Sequence, residues 1–89
     1  MATKNTNLSS FNKEDVPNAK GLSFGIVVSE WNSNITEGLY NGAYKALIER
    51  GVNPTDISRM DVPGSYELVF GVKIAAKQNP DAIICLGSI

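Results

Sequence analysis

The chain has 89 residues, none of which is histidine and only one of which, Cys85, is cysteine. Without histidine, these residues form no Ser-His-Asp or Cys-His nucleophilic site and offer no histidine metal ligand or general base. A single cysteine makes neither an internal disulfide nor a cysteine zinc site. Cys85 lies between two apolar residues, Ile84 and Leu86, which predicts a small core residue rather than a nucleophile. The sequence therefore predicts no metal site in these residues.

The chain also has little excess charge of either sign, because its 8 basic and 9 acidic residues nearly balance and give a net charge of -1. A surface that binds nucleic acid or an anionic membrane needs clustered Lys and Arg, so neither partner is predicted. With 43% hydrophobic and 19% charged residues, the composition is that of a globular protein. Residues 1–20 contain no apolar run long enough for the core of a signal peptide, which predicts a cytoplasmic protein.

Residues 1–20 are polar and are predicted to form an N-terminal tail, whereas residues 21–89 are predicted to form one part of a single α/β domain. Leu8 and Phe11 are apolar positions of this tail that could dock on the same chain or on a neighbour. The sequence leaves these two alternatives open.

Three β-branched apolar runs alternate with two helical patterns along the remaining sequence. The runs at 22–30, 57–62 and 81–89 predict strands, and the first and third are of the type buried on both faces. Between them, helical spacing predicts one helix from the Asn-rich segment at 31–34 to Gly51 and another from Ser65 to Asn79. The first helix is predicted to be covered on more than one side, with Ile35 and Leu39 on its main apolar face. In the second, Val69 and Ala76 are predicted to share the apolar face with Leu68, Val72 and Ala75.

The alternation of strand and helix predicts a parallel sheet with helices on its faces. Ligands of such sheets bind beyond the carboxyl ends of the strands. The candidate loops are therefore residues 29–34, residues 62–67 and the end of the chain at 87–89.

The first loop lacks the Gly-rich patterns that bind dinucleotides or nucleotide phosphates, and it carries Trp31 instead. The flat indole ring suits stacking on a planar heterocycle. Packing of Trp31 under a loop or against a neighbouring subunit is the structural alternative.

The second loop combines three features that suit a ligand. Gly64 allows close approach to the backbone, Ser65 offers a hydroxyl, and Glu67 lies in the first turn of a helix, where its charge is favoured. The Glu67 carboxylate could accept hydrogen bonds from the hydroxyls of a sugar or polyol. The structural alternative is a plain helix start, with Ser65 as the capping residue.

Taken together, three segments resemble one family. FGIVVSEWNSNITEGLYNGA at 24–43, DVPGSYEL at 61–68 and DAIICLG at 81–87 are similar, in this order and spacing, to the first half of lumazine synthase. The resemblance implies a three-layer, flavodoxin-like α/β fold. It also implies a transferase of riboflavin biosynthesis, which condenses 5-amino-6-(D-ribitylamino)uracil with 3,4-dihydroxy-2-butanone 4-phosphate to 6,7-dimethyl-8-ribityllumazine and releases phosphate and water. No cofactor is implied.

The resemblance also assigns roles to individual residues. It implies that Trp31 stacks on the pyrimidine ring, that residues 65–67 (Ser65, Tyr66 and Glu67) hold the ribityl chain, and that the backbone of Ser88 and Ile89 reads the uracil edge. The resemblance also places Asn32 beside the phosphate side of the pocket, and Gly64, which allows close approach of a ligand, is added to the candidate site from the residues alone. Family members form homopentamers, or shells of pentamers, whose sites lie at subunit interfaces.

The sequence departs from the family pattern directly after Ile89, where family members carry a Gly-rich, Thr- and His-containing segment that binds the butanone phosphate and assists proton transfer. No residue of the chain is therefore expected to be catalytic, and residues 1–89 alone are expected to be inactive. The uncovered third strand likewise predicts that the sequence is part of a larger domain. A non-catalytic flavin- or lumazine-binding module, or an assembly module, of the same fold is the alternative.

Overall fold

The computed structural model describes residues 15–89, in which three strands alternate with two helices. The elements are β1 (Phe24–Ser29), α1 (Ser33–Glu49), β2 (Ile57–Val62), α2 (Leu68–Ala75) and β3 (Ala82–Leu86), with short 3-10 turns at Pro54–Asp56, Ser65–Glu67 and Ala76–Gln78. The predicted order of elements is confirmed. Most of the tail predicted at 1–20, including Leu8 and Phe11, lies outside the described residues.

The strands form a parallel sheet in the order β2-β1-β3. β1 is the central strand, and Ile26, Val27 and Val28 in its middle are almost completely buried. Successive side chains of a strand point to opposite faces, so burial of all three means that both faces of β1 are covered. The prediction for the first strand is confirmed.

The two helices cover opposite faces of the sheet. A Cβ atom added to Gly71 of α2 would lie 2.7 Å from Val27 Cγ1, which places α2 on the Val27 face. Arg59 of β2 pairs in register with Ile26, and it binds Glu37 of α1, which places α1 on the other face. The helix, sheet and helix layers confirm the predicted α/β class and are consistent with a flavodoxin-like fold.

The prediction that β3 is buried on both faces is wrong for the described residues. β3 pairs with β1 alone and is an edge strand of this sheet, and its side chains are half-buried or exposed. Cys85 is exposed, which corrects its assignment to the core. The reason is its position: Cys85 pairs with Val27, but α2 packs over Val27 on the central strand and leaves the edge open.

The apolar faces of both helices also differ from the prediction. In α1 the buried residue is Thr36, whereas Ile35 and Leu39 are exposed. In α2 the buried residues are Gly71 and Ala75. Apolar side chains on the outer side of the second helical segment are exposed; they are Val69, Phe70, Ile74 and Ala76. Each helix is therefore apolar on more of its circumference than the sheet covers.

The segment just before β1 is held against the end of α1. The backbone N–H of Ala19 donates to the carbonyl of Arg50 at 2.7 Å, and Arg50 Nη1 donates to the carbonyl of Val16 at 3.2 Å. Gly51, with φ 97°, then ends the helix as predicted.

Over residues 15–89, no helix is both long enough and apolar enough to cross a membrane.

Candidate functional site

The carboxyl ends of β1 and β2 are joined by backbone hydrogen bonds that continue past the strands. Glu30 N donates to the carbonyl of Val62 at 2.7 Å, and Trp31 N donates to the carbonyl of Pro63 at 3.1 Å. These bonds hold the first two candidate loops side by side. They also fix the backbone of Trp31 while its indole remains 63% exposed.

Asn32 turns the chain sharply between Trp31 and α1. It is the N-cap residue of α1 and is left-handed, with φ 57° and ψ 52°, a conformation that Asn tolerates better than most residues. Its carbonyl accepts from the N–H groups of Ile35 and Thr36, and its Nδ2 lies 3.4 Å from Ser88 Oγ, to which it donates. Asn32 thus links the end of β1 to the end of β3.

Ser65 links the ends of β2 and β3. Its hydroxyl donates to the carbonyl of Ser88 at 3.3 Å, and no side-chain hydrogen bond caps the 3-10 turn that precedes α2. The capping role predicted for Ser65 is therefore wrong, because its hydroxyl points to the neighbouring strand end instead. Ser88 thus accepts hydrogen bonds from both other loops, by its hydroxyl and by its carbonyl.

Gly87 lets this close arrangement form. A Cβ atom added to Gly87 would lie 2.9 Å from Leu68 Cδ1 and 3.0 Å from Ser65 Oγ. A side chain at residue 87 would force the side chains of Leu68 and Ser65 to shift, and it would thereby disturb the contact between the end of β3 and the start of α2. The sequence pattern gave no sign of this contact, because a glycine after a strand is equally typical of an ordinary turn.

A cavity of about 470 Å³ lies where the three loops meet. It is lined by Trp31, Ser65, Tyr66, Ser88 and Ile89. The volume falls in the range of about 300–1,000 Å³ that is typical of small-molecule sites. Two aromatic side chains and one aliphatic side chain supply most of the walls, and hydroxyl and backbone groups supply the polar atoms. Such a cavity suits a planar heterocycle with polar edges.

The other predicted site residues lie beside this cavity rather than around it. Asn32 lines a second, more polar cavity of about 400 Å³ that is formed by residues 30–35 and shares Trp31 with the first. Gly64 and Glu67 line neither of these two cavities. The Glu67 carboxylate instead lies over Gly64, with Oε1 3.2 Å from the position of an added Cβ atom. Gly64 itself is extended, at φ -151°.

No nucleophile with an adjacent base is evident among these loops, and the chain has no histidine to serve as one. Within residues 15–89, no group of three or more His, Cys, Asp or Glu side chains is placed to hold a metal ion. The arrangement can bind and orient a ligand through an aromatic ring, hydroxyls and strand-end backbone groups.

A charged cluster that the sequence analysis missed lies next to these loops. Arg59 of β2 binds the carboxylates of Glu37 and Asp61, and the hydrogen bond from Arg59 lowers the pKa of Glu37. One signal was available: Arg59 and Asp61 alternate with apolar residues, so they share one face of β2. Their partner on α1 could not be read from this alternation.

Comparisons with known proteins confirm the resemblance. Residues 21–89 match the family described as 6,7-dimethyl-8-ribityllumazine synthase. Relatives that carry this name include proteins from Flavobacterium johnsoniae, 56% identical, Flavobacterium psychrophilum, 50% identical, and Cytophaga hutchinsonii, 46% identical. Each alignment covers all of this chain and, respectively, 47%, 48% and 56% of the relative.

The chain therefore spans about half the length of the curated relatives it matches. The matched region contains β1, β2, β3 and all three loops around the cavity. On this match, the chain belongs to the 6,7-dimethyl-8-ribityllumazine synthase family.

Proposed function

We propose that the complete protein containing these residues is a transferase of riboflavin biosynthesis. It condenses 5-amino-6-(D-ribitylamino)uracil with 3,4-dihydroxy-2-butanone 4-phosphate and releases 6,7-dimethyl-8-ribityllumazine, phosphate and water. The observation that carries this proposal is the cavity at the carboxyl ends of three parallel strands, since it offers an aromatic wall and polar strand ends to one planar ligand. A cytoplasmic location is part of this proposal.

In this proposal, the described residues bind the pyrimidine substrate. The Trp31 indole stacks on the ring, and the backbone of Ser88 and Ile89 reads its polar edge. The loop of Ser65 and Tyr66, which also lines the cavity, holds the ribityl chain. Glu67 follows Tyr66 directly in sequence. Its exposed carboxylate, which lies over Gly64 in the structure, turns to accept hydrogen bonds from the hydroxyls of the ribityl group. Asn32, in the adjacent polar cavity, lies on the side proposed for the phosphate of the second substrate.

These residues contribute position rather than proton transfer. Holding two reactants in register removes translational and rotational freedom before the reaction, which supplies up to about 7–11 kcal/mol of rate acceleration in well-oriented systems. The phosphate-binding and proton-transferring groups are proposed to lie in the part of the protein beyond Ile89. Residues 1–89 alone are accordingly proposed to be inactive.

The proposed reaction is tested with the complete, purified protein. We expect 6,7-dimethyl-8-ribityllumazine to form, as measured by its fluorescence and by mass spectrometry, only when both substrates are present. Binding of the pyrimidine substrate without any turnover would favour the alternative of a flavin- or lumazine-binding module. Failure to bind either the pyrimidine substrate or the lumazine would refute both.

Replacing Glu67 with glutamine is expected to weaken binding of the ribitylaminouracil about tenfold. Hydrogen bonds to a charged group contribute about 1.5–3 kcal/mol, against about 0.5–1.5 kcal/mol between neutral groups. Isothermal titration calorimetry measures the change. A 5,6-diaminouracil without the ribityl chain is the matched control, and its affinity should stay the same in Glu67→Gln. Equal losses for both ligands would contradict the role proposed for Glu67.

We also propose that the complete protein forms a homopentamer, and the outer face of α2 offers an apolar surface for its subunit contacts. Tyr66, Val69, Phe70 and Ile74 are exposed and recur at helical spacing, so they form one apolar stripe along the helix. The stripe begins at Tyr66, which is 94% exposed and also lines the cavity. A second copy of the protein that covers the stripe would therefore also close one side of the site.

Replacing Phe70 with lysine is expected to shift the protein from its assembled state toward smaller species, because a charge is costly to bury at a subunit interface. Sedimentation velocity over a range of protein concentrations measures the shift. Gln78→Lys adds the same charge at an exposed residue outside the stripe and should leave the assembly intact. An unchanged sedimentation coefficient in Phe70→Lys would place the interface elsewhere.

A further inference from the structure

The cluster around Arg59 joins β2 to α1 by contacts that use all three guanidinium nitrogens. Nε donates to Asp61 Oδ1 at 2.7 Å, Nη1 donates to Glu37 Oε2 at 3.2 Å, and Nη2 donates to Glu37 Oε1. The guanidinium carbon also lies 4.4 Å from the ring centre of Tyr40, one turn after Glu37 on α1. A planar fork that binds two carboxylates and stacks on a ring is a geometry that lysine cannot reproduce.

The two carboxylate residues of this cluster lie close in sequence to residues that line the cavity. Glu37 lies in the second turn of α1, the helix that begins immediately after Trp31 and Asn32. Asp61 directly precedes Val62, the last residue of β2, whose carbonyl accepts a hydrogen bond from the N–H of Glu30. After β2, the chain continues into the loop of Ser65 and Tyr66. The cluster therefore connects the helix that follows Trp31 to the strand that leads into the loop of Ser65 and Tyr66, and both Trp31 and this loop line the cavity.

The cluster is suited to fixing geometry more than to stabilising the fold. The side chains of Arg59, Glu37 and Asp61 are 28%, 49% and 45% exposed, and exposed ion pairs contribute little to the free energy of folding. A bidentate pair nevertheless restricts both distance and angle between the groups it joins. The hydrogen bond from Arg59 also lowers the pKa of Glu37, which is the direction expected when the guanidinium binds the charged carboxylate.

We propose that Arg59 is a positioning residue of the candidate site, whose guanidinium sets the separation of the Trp31 wall from the Ser65–Tyr66 wall through Glu37 and Asp61. Arg59 lines neither of the two cavities of the site, so it acts through the residues it holds. The ligand-binding part of its test rests on the proposed function, whereas the motion of Trp31 tests the proposal without any ligand.

The experiment compares Arg59→Ala and Arg59→Lys with the unchanged complete protein. We expect both variants to raise KM and the directly measured Kd for the ribitylaminouracil about five- to tenfold, with kcat within twofold and the thermal midpoint nearly unchanged. Because lysine keeps the charge but not the fork, Arg59→Lys should fail to rescue binding. Lys45→Ala, which removes an exposed charge elsewhere on α1, should behave like the unchanged protein.

Time-resolved fluorescence anisotropy supplies the ligand-independent measurement. The emission of Trp31 is isolated by subtracting the signal of Trp31→Phe, and its fast local motion should increase in Arg59→Ala. If the unchanged protein neither binds nor turns over the substrates, the proposed function fails while this measurement still tests Arg59. Unchanged Trp31 motion together with unchanged affinity in Arg59→Ala would overturn the positioning role.

Discussion

Replacing Trp31 with alanine is expected to weaken binding of the ribitylaminouracil about 10- to 100-fold. Stacking of a heterocyclic base on an aromatic side chain contributes about 1–3 kcal/mol, and each 1.4 kcal/mol corresponds to about a factor of ten in affinity. Trp31 is 63% exposed and its backbone is fixed by a hydrogen bond to Pro63, so truncation removes a wall of the cavity without opening a core. Calorimetric titration of the complete protein measures the loss.

Two further variants separate stacking from other effects of the Trp31 substitution. Trp31→Phe keeps a flat ring and is expected to bind within about fivefold of the unchanged protein. Ile35→Ala removes an exposed side chain from the adjacent polar cavity and should leave the affinity for the pyrimidine unchanged. If Trp31→Ala bound the pyrimidine as tightly as Trp31→Phe, the indole would be a structural residue, as the alternative interpretation of the sequence holds.

The elements of this fold were predictable because each depends on local sequence. The apolar run of β1 is buried on both faces, and Gly51 and Asn79 end their helical segments with positive φ, as residues of these types commonly do. The loops of the candidate site followed from one further rule, that parallel sheets bind ligands at their carboxyl ends. Five of the predicted residues line a single cavity, which is the outcome that this rule anticipates.

The errors arise where burial depends on neighbours that are distant in sequence. The runs of β1 and β3 look alike, but β1 lies between two strands and β3 at the edge, so Cys85 is exposed. Apolar spacing on a helix likewise shows that a face is apolar but not what covers it, which is why Ile35 and Val69 were assigned to covered faces. Strand order decides the first case and the packing of distant elements decides the second, and neither is encoded in a local pattern.

The polar contacts of the site were the least predictable feature. Ser65 at the start of a helical segment is typical of a cap, yet its hydroxyl donates to Ser88, 23 residues later in the chain. Arg59 likewise donates hydrogen bonds to Glu37, which lies 22 residues earlier in the chain. Side-chain hydrogen bonds of this range depend on the final placement of whole elements, so only the backbone positions of these residues could be inferred from sequence.

Gly71→Val is expected to cause a large loss of stability. A Cβ atom at residue 71 would lie 2.7 Å from Val27 Cγ1 and 3.0 Å from Val62 Cγ1. Both neighbours are buried β-branched side chains on strands, with little freedom to move aside. Overpacking of a core typically costs about 1–3 kcal/mol, and the additional methyl groups of valine are expected to bring the loss to about 3 kcal/mol or more.

Alanine substitutions show whether the contact or the loss of glycine is responsible. Alanine favours a helix by about 1 kcal/mol over glycine and so offsets part of the overpacking cost, and Gly71→Ala should be destabilised by no more than about 2 kcal/mol. Gly38→Ala is the matched control, because an added Cβ atom at this exposed position of α1 meets nothing within 4 Å. It should raise the thermal midpoint, measured at one protein concentration, whereas Gly71→Ala should lower it.

A double-substitution cycle then assigns the effect to the predicted contact. Val27→Ala alone removes buried methyl groups and is expected to destabilise the protein. Combined with Gly71→Ala, it removes the atom that the new Cβ would strike, so the pair should be less destabilised than the sum of the two single variants by about 1 kcal/mol. Additive losses, or a raised midpoint in Gly71→Ala, would show that α2 does not approach β1 at Gly71 as closely as the structure indicates.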